Sequence, residues 1–383
     1  MEVVGHVLLF CVGAAMALYT LISVIRTFVL PRGASDAITR LVFRGMRWLF
    51  ELYNSKVDSY AARDRAMAMY APLSLIVLAF VWLLIVELSY TAMYFAVDTH
   101  DLGGAFLLSG SSLLTLGFAP VTTFPQTLLA FSEAATGLLL AALLISYLPT
   151  MYSAFARRET AVTLLAVRAG EPPSAAQMLS RYARIQGLGQ LNDLWKSWET
   201  WFAEIEESHT SLAALVFFRS PQADHSWVTA AGTVLDAAAL RAAVVDLPRD
   251  AQAELMIRAG YLSIRRITAY FGISYPANST YPETPISILK SEFLTACAQM
   301  AANGVPLKHD LDQAWLDYAG WRVNYDAVLL ALALLTMAPY APWISDRSLP
   351  NQKLPRWLKW GAQPAELGEG FIPQTDATPT ILK

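Results

Sequence analysis

The stretch that decides the fold is residues 103–120, which read GGAFLLSGSSLLTLGFAP. Its first part, Gly103 to Thr115, is apolar and uncharged, but its about 13 residues are too few to cross a bilayer core, which takes roughly 20. The irregular run from Thr115 to Pro120 follows at once. Non-helical backbone at membrane depth is tolerated only where protein buries it or where it lines a wet cavity. We therefore expect a short re-entrant helix that leads into a loop inside the membrane.

Long apolar runs flank this stretch. We expect membrane spans from Val3 to Leu30, from Pro72 to Val97 and from Gln126 to about Phe155. The chain of 383 residues is 55% hydrophobic and only 15% charged, whereas an ordinary soluble domain carries about 25% charged residues. This composition excludes a purely cytoplasmic enzyme and a disordered chain. A signal peptide is the competing interpretation of the first run, but the early charge there is Glu2 rather than a basic residue.

The basic residues are distributed unevenly around these runs. Residues 31–66 carry several Arg and Lys side chains, residues 98–125 carry none, and Arg157 and Arg158 follow the third run. The positive-inside rule then predicts that the N-terminus and residues 98–125 lie outside. Everything after Arg157 is expected in the cytoplasm. We therefore expect a multi-pass protein of the cell (inner) membrane with a cytoplasmic C-terminal domain.

The order span, short pore helix, Thr-x-Gly-aromatic, span over roughly residues 70–157 resembles the pore module of the potassium-channel superfamily. The resemblance implies a homotetramer, because each chain carries one copy of the loop. It also implies that backbone carbonyls replace the water shell of potassium ions in the filter, and that the lipid bilayer and the permeant cation are the partners. No other cofactor is expected. The filter residues implied by the resemblance are Thr115, Leu116, Gly117, Phe118 and Ala119.

Two positions depart from the family pattern. Ala119 stands where the family has a second glycine, and Pro120 stands where it has an acidic residue. Alanine in a backbone conformation that a Cβ disfavours costs on the order of 1 kcal/mol, so the outer filter is expected to be wider or differently folded. One alternative is therefore a weakly selective cation channel. From another class comes a membrane-anchored sensor or scaffold that conducts nothing.

Two carboxylates fall inside predicted spans, where an ionisable group is expensive. Glu133 lies in the outer third of the third span, near the expected filter. It is expected either to hydrogen-bond Ser109, Ser111 or Ser112 of the pore helix or to draw cations to the mouth. Ser111, Ser112 and Glu133 are the residues expected to support the filter. Glu87 has no basic partner at similar depth, and its role stays open. For both residues a purely structural hydrogen bond is the alternative.

The third span carries the candidate hinge and gate. Gly137 lies near its middle and is expected to ease bending or to allow close helix packing. Pro149 removes a backbone hydrogen bond and should kink the helix near its cytoplasmic end. We expect a gate constriction near Tyr147 and Leu148.

Residues 38–53 combine apolar residues at helical spacing with several arginines. This pattern is typical of a basic amphipathic helix on the inner leaflet, and a helix packed on the cytoplasmic domain fits equally well.

The remaining sequence predicts an all-α fold with four parts. These are 1–66 with the first span and the amphipathic helix, 67–157 with the pore, 158–344 as a helical cytoplasmic domain and 345–383 as an extended or disordered tail. Catalytic triads, metal-ligand spacings and phosphate loops are missing from the sequence, so we expect neither an enzyme nor a metal site. The net charge of −3 gives no reason to expect nucleic-acid binding. Helices are expected at about 174–186, 189–218, 226–245, 249–272, 284–303 and 309–338.

Overall fold

The structure, a computed structural model, describes residues 2–30, 36–55, 57, 60–99, 101–273, 275 and 278–347. Within these residues regular structure is helical, apart from one isolated bridge between Val245 and Leu307. The all-α expectation is confirmed. The helices are α1 (Glu2–Phe28), α2 (Ala37–Asn54), α3 (Tyr60–Ala68), α4 (Tyr70–Tyr94), α5 (Leu102–Leu113), α6 (Phe124–Ala169), α7 (Ala175–Arg184), α8 (Asn192–Ser211), α9 (Trp227–Ala243), α10 (Ala251–Tyr270), α11 (Lys290–Ala302), α12 (Leu311–Arg322) and α13 (Asp326–Thr336).

Three stretches are long and apolar enough to cross a membrane, namely Val3–Phe28, Ala62–Val97 and Phe124–Ala169. The second and third contain the corresponding predicted spans, and the first covers the predicted span from Val3 to Leu30 except for its last two residues. The three stretches are consistent with a membrane protein. The third is 46 residues long, which corresponds to about 69 Å of helix. A bilayer core is only about 30 Å thick, so much of α6 must lie beyond the hydrocarbon.

Helices α1 and α4 pack closely along their lengths. The Trp82 indole N–H donates to Ser23 Oγ at 2.9 Å, and the Phe28 ring meets the Trp82 ring edge-on with centroids 5.2 Å apart. A Cβ on Gly13 would lie 2.6 Å from the Ser89 carbonyl oxygen. The missing side chain thus lets the two backbones approach, as small residues do between membrane helices.

The second half of α6 enters a helical bundle, which we define as α7 to α13 with their connections. Val162, Leu165 and Ala169 of α6 belong to the same hydrophobic core as these helices. The predicted domain boundary at 157/158 therefore falls inside one continuous helix. The three tryptophans at spacing three, which the sequence places on one helix face, are buried in this core; they are Trp195, Trp198 and Trp201.

Arg158 fastens α6 to the chain that follows α8. Its guanidinium donates to the carbonyl oxygens of Leu215 at 2.8 Å and Phe218 at 2.7 Å, and it lies 3.2 Å from His209 Nε2. Burial, followed by the nearby Arg158 charge, lowers the pKa of His209 well below its ordinary value. The imidazole is therefore neutral, and its Nε2 accepts from Arg158.

Three helices begin or end differently from the sequence prediction. The helix expected over 189–218 ends at Ser211, and a separate 3₁₀ helix, Ala213–Phe217, follows it. The helix expected over 284–303 starts only at Lys290, because Pro285 interrupts the preceding turn and the Ser287 N–H is bonded to Asp326. The helix expected over 309–338 is two helices, α12 and α13. The break after Arg322 directs the Arg322 and Tyr325 side chains to one buried carboxylate, Asp236. The predicted tail lies, apart from residues 345–347, outside the described residues.

Helix α2 has one packed face and one exposed face. On the packed side, Arg47 donates to the Leu335 carbonyl at 3.1 Å and pairs with Glu51 at 2.7 Å, which joins α2 to the end of α13. Packing against the bundle, one of the two alternatives for this segment, therefore describes that side. The opposite side still exposes large apolar residues, namely Leu41, Trp48, Leu49, Leu52 and Tyr53.

A buried ion network holds the bundle together. The Arg322 side chain is fully buried and bonds both carboxylate oxygens of Asp236, at 2.8 and 2.7 Å, and Asp326 at 2.7 Å. Tyr318 and Tyr325 donate their hydroxyl groups to the same Asp236 oxygen. Such a network is costly to break, because removing one partner leaves uncompensated charge in the core.

Replacing Arg322 with methionine should destabilise the bundle by about 3–5 kcal/mol, since Asp236 would remain buried without its cation. The readout is the thermal unfolding midpoint of the detergent-solubilised chain, followed by tryptophan fluorescence. Lys290→Met is the control, because Lys290 and Asp312 form a pair whose side chains are 45% and 84% exposed. That change should cost less than about 1 kcal/mol. Equal losses for the two variants would contradict the role assigned to the network.

Candidate functional site

Helix α5 and the loop that follows it lie between α4 and α6. Asp101 caps α5 through bonds from the Gly103 and Gly104 N–H groups, which explains where this helix begins. Its buried face, which includes Ala105 and Leu108, packs into the core shared by α4 and α6. The loop that follows, from Leu114 to Phe118, is exposed.

Ser111 organises the loop after α5. Its carbonyl oxygen accepts the N–H of Leu116 at 2.9 Å and of Gly117 at 3.2 Å, and its hydroxyl oxygen accepts the N–H of Ala119 at 3.0 Å. Three loop N–H groups are therefore turned toward the end of α5. Sequence reasoning placed Ser111 among the filter supports, and the structure shows the bonds that hold the loop.

This arrangement fixes where the loop carbonyls point. A trans peptide unit directs its C=O opposite to its N–H, and the peptide bonds of this loop are not among the cis bonds of the described chain. The carbonyls of Thr115, Leu116 and Phe118 therefore point away from Ser111. Within the part of the chain that the structure describes, no group donates a hydrogen bond to them. The loop thus presents a row of unused backbone oxygens.

The loop backbone is strained at Thr115. Its φ is 54° and that of Gly117 is 69°, whereas Leu116 between them is not among the residues with positive φ. A positive φ suits glycine but is a true outlier for a β-branched residue such as threonine. Such strain costs about 1–3 kcal/mol and is found at ligand clamps and switches. Ala119 is not among the residues with positive φ, so its side chain is accommodated without the cost expected for an alanine there.

A buried contact between a carboxyl and a serine holds α5 against α6. The Ser109 hydroxyl lies 2.5 Å from Glu133 Oε1 and 3.0 Å from the Glu87 carbonyl oxygen. Glu133 is fully buried. Of the three serines considered from the sequence, Ser109 is the one that contacts Glu133. Ser112 instead bonds the Leu108 carbonyl at 2.9 Å.

Glu87 lies beside the same segment. Its carboxyl oxygens are close to the Cα of Gly110, where a Cβ would meet Oε1 at 3.2 Å. Among the described residues neither Glu87 nor Glu133 forms an ion pair with Lys or Arg. The two carboxyls therefore meet neighbouring residues of α5, Glu133 at Ser109 and Glu87 at Gly110.

The end of the loop nearest α6 is tied to that helix by a residue that sequence reasoning missed. Gln126 Oε1 accepts from the N–H of Thr122 at 2.9 Å and from its hydroxyl at 3.0 Å. Thr123 caps α6, and Pro125 occupies the first turn. The cap motif Thr-Phe-Pro-Gln was the available signal, since a threonine before a proline often marks a helix start.

The predicted hinge and gate residues do not share one surface. A Cβ on Gly137 would lie 2.2 Å from the Leu113 carbonyl oxygen, so this glycine is where the end of α5 meets α6. Tyr147 is buried against the Phe28 ring, with centroids 4.4 Å apart. Leu148 is exposed, and Pro149 lies within the continuous helix α6. The close contact at Gly137 favours the packing alternative for this residue.

No family model, curated protein or solved structure matches the chain. Across the described ranges, no group of three or more His, Cys, Asp or Glu side chains is arranged to hold a metal ion. The candidate site therefore rests on the geometry of the loop and its supports.

Gly137→Ala should destabilise the contact between α5 and α6 by about 1–3 kcal/mol, because the new methyl group would overlap the Leu113 carbonyl. The thermal unfolding midpoint in detergent measures this. Gly5→Ala is the matched control, since a Cβ on Gly5 would have no neighbour within 4 Å. It should leave the midpoint unchanged or raise it. An unchanged midpoint for Gly137→Ala would disprove the close approach.

Ser109→Ala should also destabilise the contact between α5 and α6, by about 1–3 kcal/mol, because Glu133 Oε1 would stay buried without its hydrogen-bond partner. Ser146→Ala removes an exposed hydroxyl that bonds only the Leu143 carbonyl of its own helix, and we expect it to have no measurable effect. Unfolding midpoints of the two variants, compared in one detergent, test the difference. If both variants unfold like the unmodified chain, Ser109 does not secure α5.

Proposed function

We propose that this chain is a subunit of a potassium-channel-like cation channel, in which four copies surround a passive pore. Thr115 to Ala119 would form the filter. The observation that carries the proposal is the row of carbonyls at Thr115, Leu116 and Phe118, which point away from Ser111 and accept no hydrogen bond within the described chain. Rings of such oxygens are what replaces the water shell of a dehydrated cation.

The polarity of the loop favours a cation over an anion. An anion site in a loop is built from N–H groups that converge on the ligand. Here the N–H groups of Leu116, Gly117 and Ala119 converge on Ser111 instead. The surface left to a ligand carries partial negative charge from carbonyl oxygens, which attracts cations.

Assembly follows from the shape of one copy. A single loop offers its oxygens from one side, so enclosing an ion takes several copies around an axis. Helix α6 also leaves a long apolar face uncovered beside the loop: Phe131, Leu138 and Ile145 are 71%, 61% and 71% exposed. Lipid or neighbouring copies would cover this face, as membrane helices pack with one another.

The same proposal assigns a direction and a gating element. The positive-inside rule places residues 98–125 outside and the helical bundle in the cytoplasm. Since α6 runs unbroken from the loop side into the bundle and is fastened there by Arg158, a movement of the bundle would reach α6 directly. Gating would then act along α6, between Gly137 and Pro149.

For the ion selectivity of the channel, the proposal has one defined alternative. Ala119 donates its N–H to Ser111 and does not have a positive φ, so the outer end of the loop is built differently from a filter with two glycines. A weakly selective cation channel has the same carbonyl row and differs in the ratio of potassium to sodium permeability. Measuring the reversal potential with potassium and sodium on opposite sides distinguishes the two.

Gly117→Ala should reduce potassium flux from liposomes at least tenfold. Its φ is 69°, and an L-residue in that conformation costs about 1–2 kcal/mol in each copy. Space is not the limit, because a Cβ there would have no neighbour within 4 Å. The measurement is dissipation of a potassium gradient by the purified, reconstituted chain.

Gly103→Ala is the control for that experiment. It lies in the same segment between α4 and α6, and its Cβ would make only an ordinary 3.7 Å contact with Asp101. We expect its flux to equal that of the unmodified chain. If the assembled unmodified chain dissipates no gradient, the channel proposal fails and the non-conducting scaffold takes its place.

A further inference from the structure

A cavity of about 370 Å³ lies where α1, α2 and α4 meet the helical bundle. The cavity contributes nothing to the loop described above, which lies toward the other end of α4 and α6. Its wall is formed by residues from the end of α1, from α2, from the start of α4, from Tyr147 of α6 and from the segments around residues 211–217 and 270–272.

The wall is strongly basic. Four arginines are among its lining residues and no Asp or Glu is, and Arg47 pairs with Glu51 at 2.7 Å. Among the described residues Arg26 and Arg40 form no ion pair. Guanidinium groups bind phosphate oxygens in a bidentate fashion. The arginines are Arg26, Arg40, Arg44 and Arg47.

The rest of the wall suits a molecule that is polar at one end and apolar at the other. Thr27 and Thr39 bring their hydroxyl groups within 3.2 Å of each other near the arginines. Phe43, Leu75 and Phe217 supply apolar surface. A free phosphate would contact only the polar end of the cavity, whereas a phospholipid headgroup with its glycerol would contact both the polar end and the apolar surface.

The position of the cavity favours a lipid over a free phosphate as its ligand. Arg26 lies in the last turn of the apolar helix α1, which is where a membrane helix leaves the hydrocarbon. Ile22 and Leu18 precede it by four and eight residues and are 37% and 59% exposed. Residues at this spacing share one helix face, so an apolar stripe leads along α1 to the cavity, and an acyl chain can follow it.

We propose that this cavity binds the phosphate headgroup of an anionic phospholipid. Basic pockets between membrane helices at the cytoplasmic side bind such headgroups. Because Tyr147 and Tyr270 line the same cavity, an occupant contacts both α6 and the helical bundle. Binding is tested without any reference to ion conduction, so its failure is separate from failure of the proposed channel.

The experiment measures the thermal unfolding midpoint of the full chain in detergent while a short-chain lipid is added. The probes are dihexanoyl phosphatidylglycerol, dihexanoyl phosphatidylcholine and inorganic phosphate at equal concentrations. A ligand that binds the folded state raises the midpoint once its concentration exceeds its dissociation constant, and the rise continues with the logarithm of the concentration. We expect phosphatidylglycerol to raise it at far lower concentration than either other probe.

The test compares a double variant, Arg40→Gln with Arg44→Gln, with the single control variant Arg157→Gln. Each basic residue near an anionic headgroup contributes about fivefold in affinity, so the double variant should weaken phosphatidylglycerol binding by roughly thirtyfold. Arg157 is also exposed on α6 but does not line the cavity, and its removal should change binding less than twofold. Circular dichroism without lipid confirms that each variant is folded.

Three results would overturn the proposal. An equal rise of the midpoint with inorganic phosphate at the same concentration would show an ion site rather than a lipid site. Equal binding of phosphatidylcholine would show that the charge of the headgroup is irrelevant. An equal loss with Arg157→Gln would show that general surface charge attracts the lipid.

Discussion

The bonds that Ser111 accepts are the constraint on which the rest of the structure depends. In a membrane each backbone polar group needs a partner, because hydrocarbon offers none. Ser111 supplies partners for the N–H groups of Leu116, Gly117 and Ala119 through its carbonyl and hydroxyl oxygens. The opposite ends of those peptide units are left without donors. The loop can therefore exist at membrane depth only if something else, such as a cation, satisfies its carbonyls.

The surrounding contacts keep Ser111 in place. Ser109, two residues earlier, is fixed by Glu133 of α6 and by the Glu87 carbonyl of α4. At the end of α5, the Leu113 carbonyl fits against Gly137. Because α6 carries Glu133 and Gly137 and continues into the helical bundle, one continuous helix connects the loop with the bundle. The buried carboxyls thus serve to position the helices in this account.

The sequence was sufficient for features that depend on composition and length. The three long apolar runs predicted α1, α4 and α6, and the short run between the second and third predicted α5. Hydropathy alone decides which of these segments avoid water. Helix ends were less well predicted where a distant partner decides them. The break between α12 and α13 depends on Asp236 of α9, which the local pattern does not reveal.

In the candidate site, too, the sequence predicted some features, and others depend on how distant residues pack. Glu133 was expected to meet one of three serines, but only the rotation of α5 against α6 decides that Ser109 is the one. The strain was expected at Ala119 and lies at Thr115, since backbone conformation follows from the bonds to Ser111 rather than from residue type. The basic cavity was not predicted, because Arg26 and Arg40 meet there only through the packing of α1 and α2. The most direct test of the central claim is cryo-electron microscopy of the purified chain in potassium solution. We predict a fourfold assembly with the carbonyls of Thr115, Leu116 and Phe118 around the axis and ion density between them. An assembly in which these loops lie at the periphery, with no opening between copies, would contradict the account.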